Sequence, residues 1–522
     1  MTSLLEARTL WEHVETRAEA TPDALMAQDD QGRTLTFAQY RDEAERVAAG
    51  FAGLGLGEGD SVSWQLPTWN ETLVLAAALS RLGVVQNPIL PIYREREVGF
   101  CSRQTSAKYL IVPAESASFD FAQMAKQIAS DTPGLDVLHV DRGSIPTGDP
   151  SALPAPPPAL EPADQPVRWR FYTSGTTADP KGAQHTDATV AASARGMALA
   201  LQLSADDIHG FVFPFTHIGG IGWLFATLQS GCRQLVVESF ASPDCIPFLS
   251  REGATLLGAG TVFHQAYLAA QRATPGPPLF PNVRAFPGGA APKPPQLHHD
   301  LKQEIGGVGI VSGYGLTEAP IVNMCTVDDP DDKLAHTEGR ATPGVEHRIV
   351  TLDGAVAGAG EEGEIRVKGP QVMRGYLDST LDADAFDDDG FFRSGDLGYL
   401  DEGGWIVITG RLKDVIIRKG ENISAKAVED VLHSSPKVGE AAVIGLADVE
   451  TGERACAVVV TAEGQEPLTF EEMTALCKDA GLMTQMTPEQ LEHADALPRN
   501  PTGKVLKHQM QDEYASRPFS RR

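Results

Sequence analysis

The segment Phe171–Gly182, FYTSGTTADPKG, gathers residue types that can grip a phosphate. An apolar run ending at Tyr172 opens into Thr173, Ser174, Gly175, Thr176 and Thr177, and Pro180-Lys181-Gly182 closes the loop. Small hydroxylated residues around a glycine can turn backbone N–H groups and hydroxyls toward phosphate oxygens without obstruction, while Lys181 supplies charge. Taken alone, the same residues also fit a flexible surface turn. The spacing is not G-x-x-x-x-G-K-[ST], so a P-loop kinase or GTPase is disfavoured. A second glycine cluster, Gly53–Asp60, has no register matching G-x-G-x-x-G and stands between a helix and a strand. It reads as a helix end and loop. Six cysteines without a C-x-x-C pair make neither a zinc ribbon nor a disulfide framework.

The loop resembles the Y-T-S-G-T-T-G-x-P-K-G signature of the adenylate-forming superfamily: acyl- and aryl-CoA synthetases, nonribosomal-peptide adenylation domains and beetle luciferases. Ala178 stands where glycine is usual; at a positive φ it would cost on the order of 1 kcal/mol. Further elements follow in that family's order. Gly288-Gly289-Ala290-Ala291-Pro292 resembles the wall of the adenine pocket. Tyr314-Gly315-Leu316-Thr317-Glu318 resembles Y-G-x-T-E, which implies Tyr314 on adenine, Thr317 at the α-phosphate and Glu318 as the Mg²⁺ ligand. A carboxylate is a hard ligand suited to that ion. Asp396, in Ser394–Gly398, is implied to accept both ribose hydroxyls. Gly410–Asp414 is implied to place Arg411 near ribose and phosphate, with Lys413 as the hinge. Lys419 and Gly420, with Glu429 downstream, are similar to the loop lining a pantetheine tunnel. Lys504, ending Pro498–Lys504, is implied to be the lysine that bridges carboxylate and α-phosphate.

That resemblance implies a definite chemistry. Attack of a carboxylate on the α-phosphate of ATP makes an AMP leaving group and releases pyrophosphate; a thiol then displaces AMP. Catalysis of the first step is charge placement by Lys181, Lys504, Mg²⁺ and loop N–H groups. No phosphopantetheine-bearing element follows Lys504, which favours free CoA as the acceptor. The alternatives are a stand-alone enzyme loading a carrier protein, an oxidative light emitter, and a non-catalytic acyl-adenylate sensor.

Phe213–Gly222 resembles the segment beside the acyl pocket, where His217 stands as an aromatic gate, counted with the catalytic group but given no acid–base role. His217–Trp223, Gly258–Thr261 and Ser312–Gly315 are expected to line the pocket, with Gly219, Gly220, Gly222, Gly258, Gly260 and Gly313 leaving space and Trp223 on its wall. No Asp or Lys stands there to pair a charged amino acid, so an apolar monocarboxylate is expected. Gln86–Glu97 resembles medium-chain and alicyclic ligases, including relatives acting on steroid side chains.

These residues need elements to hold them. Alternating helical and extended patterns predict helices over Leu35–Phe51, Asn70–Leu82 and Glu97–Thr105. Strands are predicted over Ser61–Leu66, Val84–Leu90, Tyr109–Val112 and Val167–Tyr172. The fold expected is α/β: a large domain of parallel-rich sheets with flanking helices over 1–411, and a small mobile α+β domain over 412–522. Leu4, Leu5, Trp11 and Val14 suggest one face of an N-terminal helix rather than a signal peptide. Residues 149–166, rich in proline, read as a linker or surface loop. The chain has 522 residues, 42% hydrophobic, with a formal charge of −27. That length supports more than one globular domain, and that charge disfavours nucleic-acid binding. The apolar stretch Ile218–Leu228 is too short to span a bilayer. A cytosolic location is expected, and a homodimer is an admissible assembly.

Overall fold

The computed structural model describes residues 4–116, 119–173, 180–274, 276–289, 293–418, 421–499, 505–515, 517 and 519. The chain packs as two compact units. The first comprises Met1–Gly289, Leu297–Glu346 and Val367–Phe392; the second comprises Ala290–Gln296, His347–Arg366 and Arg393–Arg522.

In the first unit, the predicted strands assemble into a six-stranded sheet. Its order is Asp136–His139, Tyr109–Val112, Ser61–Trp64, Val85–Pro88, Trp169–Thr173 and Lys181–His185. The first five strands run parallel; the last is antiparallel to its neighbour. Tyr109–Val112, YLIV, is the nearly continuous apolar run that a parallel strand buried on both faces shows; the strand expected over Ser61–Leu66 ends at Trp64 and alternates serine with Val62 and Trp64. The extended run at 84–90 narrows to Val85–Pro88, with Ile89 N still donating to Trp64 O at 2.8 Å. A second sheet places Leu256–Leu257, Ile208–Phe211, Arg233–Val236 and Leu25–Asp29 in parallel, with Thr34–Thr36 antiparallel at its edge. A third pairs Phe286–Gly288 with Ile310–Tyr314 in parallel.

The helix expected over Leu35–Phe51 spans Phe37–Gly53. It starts where Thr36 caps it, the hydroxyl accepting from Gln39 N and the Gln39 side chain answering the Thr36 N–H. Such a cap is worth about 1 kcal/mol. The Gly53–Asp60 cluster is the helix end and loop that its context indicated, with Gly55 and Gly59 at positive φ. The N-terminal helix is shorter than the apolar pattern suggested. It begins at Leu10, after Thr9 takes the Glu12 N–H, so Leu4 and Leu5 precede it. Asp187, fully buried, then ties it to the sheet by accepting from Leu10 N (2.9 Å) and Trp169 Nε1 (2.7 Å). The proline-rich stretch is a surface loop pinned by Arg81, whose guanidinium donates to Pro154 O (2.7 Å).

The second unit contains most of a four-stranded sheet, Glu346–Val350, Gly363–Lys368, Phe392–Leu400 and Ile406–Arg411. It also holds a largely antiparallel sheet built on Val438–Asp448 and Gly452–Thr461, covered by Ala425–His433 and Phe470–Asp479. All six cysteines are buried, and none is joined in a disulfide. Among the described residues, no helix is long and apolar enough to cross a membrane.

Candidate active site

The phosphate-loop candidate is the connection of a β-hairpin. Thr173 stands opposite Lys181 in the antiparallel ladder, so the two ends of the loop are held side by side. Ser174, Gly175, Thr176, Thr177 and Ala178 lie outside the described residues. Behind the loop, Trp169 and Phe171 stack on one face of the strand, their ring centroids 6.1 Å apart, as the two-residue period of a strand requires. Gly182 lets the hairpin close, since a Cβ there would stand 3.0 Å from the Tyr172 ring. Lys181 is exposed, and its Nζ lies 5.4 Å from the centroid of the Tyr376 ring.

The Tyr314–Glu318 element leaves the end of Ile310–Tyr314 in a turn closed by Leu316 N to Ala319 O and Ala319 N to Leu316 O. Only glycine fits at 315, because a Cβ would stand 2.3 Å from Ile321 N. The Thr317 carbonyl accepts a hydrogen bond from His185 Nε2 at 2.8 Å, and His185 Nδ1 lies 3.0 Å from Thr189 Oγ1. Burial pushes the His185 pKa down to about 4, so the ring is a neutral Nε2–H donor. Glu318 is buried, and its Oε1 accepts from the Tyr376 hydroxyl at 2.7 Å.

A further segment joins these pieces. Arg374 N donates to Gln184 O, Gln184 N to Gly375 O and Leu377 N to Gly182 O, while Met373 N donates to Glu318 O. The stretch 373–377 is thereby bonded to both the Lys181–His185 strand and Glu318. Neither Tyr376 nor His185 was singled out from sequence; a lone Gly-Tyr step and a lone histidine carry no motif. Among the described residues, no three His, Cys, Asp or Glu side chains converge as a metal cluster. One carboxylate is nevertheless the protein donor that Mg²⁺ takes when substrate phosphates and waters complete its shell. Glu318 fits an ion of that kind.

His217 caps the helix Ile218–Ser230, its Nδ1 accepting from Gly219 N at 3.1 Å. Burial holds its pKa at about 4, so it stays neutral and oriented, edge-on to Phe213. The glycines of this segment do different jobs. Gly222 faces open space, whereas a Cβ at Gly220 would stand 2.4 Å from Phe215 O, so Gly220 serves close packing instead of pocket room. Trp223 stacks on the fully buried His209 at 3.6 Å. His209 Nδ1 is 2.7 Å from Gln234 Oε1, and its Nε2 faces Gly258, where a Cβ would stand 3.1 Å away. A Cβ at Gly288 would meet His264, and one at Gly313 would lie 3.3 Å from Asn323 O. Ala290 lies outside the described residues.

In the second unit, hairpin register sets Asp396 opposite Arg411, and Arg411 Nε reaches Asp396 Oδ1 at 2.8 Å. The carboxylate is buried and the guanidinium partly exposed. Ser394 Oγ donates to Ile365 O and accepts from Asp396 N at 3.0 Å, which fixes the turn through Gly395. Lys413 sits in the short turn Leu412–Asp414, where burial and then Arg411 lower its pKa. Glu429 accepts from Val443 N and Lys507 Nζ, both at 2.7 Å. Lys419, Gly420 and Lys504 lie outside the described residues.

Residues 14–377 match the AMP-binding enzyme family, and residues 427–504 match the AMP-binding enzyme C-terminal domain. The medium-chain fatty-acid–CoA ligase of Escherichia coli K12 is 30% identical over 96% of this chain and 89% of its own. The salicyl-AMP ligase / salicyl-S-ArCP synthetase of Mycobacterium tuberculosis is 32% identical over 96% and 90%. Among solved structures, ATP-bound MatB from Rhodopseudomonas palustris superposes with a TM-score of 0.87 at 27% identity, covering 98% of this chain and 99% of its own. MenE from Bacillus subtilis with ATP and magnesium gives 0.82 at 27%, covering 97% and 99%. A hairpin joining Thr173 to Lys181, a buried Glu318 bonded to the tyrosine that Lys181 overlies, and matches along nearly the whole length lead to one conclusion: the chain belongs to the AMP-binding enzyme family, the adenylate-forming ligases.

Proposed function

We propose that the chain is an ATP-dependent acyl-CoA ligase that activates an apolar carboxylic acid through acyl-AMP and passes the acyl group to CoA. The observation that carries the reading is the meeting of Lys181 and Glu318 on opposite parts of one side chain, Tyr376. That arrangement sets a cation and a metal-binding carboxylate at the mouth of the Thr173–Lys181 hairpin, where triphosphate charge would lie. Mg²⁺ bound with ATP supplies further neutralisation of the phosphates; Glu318 holds it, Lys181 neutralises phosphate oxygens, and the loop residues donate N–H and O–H groups. Tyr314 stacks on adenine beside Gly288 and Ala290, and Asp396 accepts the ribose hydroxyls with Arg411 beside it. Lys504 places charge between the substrate carboxylate and the α-phosphate. With acid and phosphate so aligned, attack needs little reorganisation.

In the second step, Lys419 and Gly420 line the thiol's path, and movement about Lys413 of residues 412–522 against 1–411 exchanges Lys504 for that loop. An uncharged acid is supported by the acyl-wall residues His209 and His217, which burial keeps neutral. A medium-chain or alicyclic acid is consistent with two relatives, the Escherichia coli medium-chain ligase and an indenyl-propanoyl:CoA ligase of Rhodococcus jostii RHA1. The carrier-loading reading keeps one specific support, the likeness to the salicyl-S-ArCP synthetase. A panel of acids at fixed ATP, with and without CoA, decides between them. The expected products are AMP, pyrophosphate and, with CoA, a thioester, with apolar monocarboxylates exceeding α-amino acids by orders of magnitude in kcat/KM. ADP and phosphate as products would overturn adenylation, and thioester formation only on a carrier protein would overturn CoA as acceptor.

A further inference from the structure

Tyr376 touches both charged groups assigned to the triphosphate and belongs to neither motif that supplies them. Its hydroxyl donates to Glu318 Oε1 at 2.7 Å, and the Lys181 ammonium lies 5.4 Å from its ring centroid. The side chain is 5% exposed. Its backbone is fixed on both flanks, by Tyr376 N to Asp382 Oδ1 at 2.8 Å and Leu377 N to Gly182 O at 2.8 Å, and Gln184 Nε2 donates to Tyr376 O. The main chain is thus anchored on both sides of the ring.

We infer that Tyr376 is a positioning residue for adenylation, whose hydroxyl orients the Glu318 carboxylate toward the metal and whose ring seats the Lys181 ammonium. The inference rests on the assignment of Glu318 to Mg²⁺ and of Lys181 to phosphate. With Oε1 committed to the phenol, Oε2 is the oxygen turned to the ion; among the described residues only Tyr376 is hydrogen-bonded to the carboxylate. The ring offers a cation–π contact, which holds Lys181 near Glu318 without neutralising it through a direct ion pair.

The two halves of the side chain can be separated. Tyr376→Phe removes the hydroxyl and keeps the ring; Tyr376→Leu removes both. ATP affinity is measured by calorimetric titration without acid substrate, once with Mg²⁺ and once in EDTA, for both variants, Glu318→Gln and the parent enzyme. The parent is expected to bind ATP more tightly with Mg²⁺. Tyr376→Phe should lose about 10-fold of that enhancement, the size of one hydrogen bond to a charged acceptor, with unchanged affinity in EDTA. Tyr376→Leu should also lose about 3-fold in EDTA, through Lys181. Pyrophosphate release by Tyr376→Phe should recover at high Mg²⁺ concentration. A full Mg²⁺ enhancement in Tyr376→Phe, with Glu318→Gln having lost it, overturns the role of Tyr376 alone. A full enhancement in Glu318→Gln overturns the metal assignment and this inference with it. Should Tyr376→Leu fail to fold, Tyr376→Phe still decides the hydroxyl's role.

Discussion

Lys181 with Glu318 in the first unit and Arg411 with Asp396 in the second are both cation–carboxylate couples, held by opposite means. Asp396 and Arg411 are cross-strand partners in one hairpin and bond directly at 2.8 Å. Lys181 and Glu318 come from distant segments, and no ion pair joins them among the described residues; Tyr376, from a third segment, stands between. A direct pair is built by local register and satisfies itself. A spaced pair is built by tertiary packing and leaves both charges available to a ligand. The difference suits the ligands assigned to each: neutral ribose hydroxyls for Asp396 of the direct pair, and phosphate with metal for the spaced one.

The largest effect is expected at the direct pair. Asp396→Ala removes the acceptor for two ribose hydroxyls, at about 1.5–3 kcal/mol for each hydrogen bond to a charged group. It should lower kcat/KM for ATP by about 10²–10⁴ while leaving binding of pyrophosphate to the enzyme near normal, as isothermal titration would show. Equal weakening of pyrophosphate and ATP would mean that Asp396 serves the hairpin and not the nucleotide.

A smaller effect separates the two units by pH. His13, His185, His209 and His217 in the first unit are held near pKa 4 by burial, against an unperturbed 6.5; His347 is the corresponding group in the second. A histidine whose folded pKa is depressed contributes stability above about pH 6.5, lost as pH falls toward 4. For the fully buried His185 and His209 this is on the order of 3 kcal/mol each. Asp187, Glu15 and Glu43, raised by burial, act in the opposite sense. The first unit should thus weaken more on acidification from pH 6.5 to 4. Tryptophan fluorescence during denaturant titration reports it, because five of the six tryptophans, all but Trp405, lie there. Coincident loss of Trp fluorescence and far-UV signal at every pH would contradict the expectation.

What could be read from the chain follows the same division. The segments Phe171–Gly182, Tyr314–Glu318 and Ser394–Gly398 could be picked out because each is contiguous, and Gly315 answers a local demand; the return strand Lys181–His185 was not read. Tyr109–Val112 was legible for a similar reason: burial on both faces leaves an unbroken apolar run. Tyr376 and His185 were not, since their meaning depends on partners 58 and 132 positions away. Gly220 was misjudged as pocket space because sequence shows the missing side chain but not Phe215 O behind it. The N-terminal helix was drawn too long because Leu4 and Leu5 fit its apolar period, and the Thr9 cap outweighed them.

Activation through an adenylate is tested most directly by running the two half-reactions separately in Lys504→Ala. If one lysine places charge between carboxylate and α-phosphate, pyrophosphate release should slow by about 10²–10³, the usual cost of one preorganised charge partner. Thioester formation from synthetic acyl-adenylate and CoA should continue at a near-normal rate, while Gly420→Trp should give the reverse pattern. Equal slowing of both half-reactions by Lys504→Ala would contradict the mechanism.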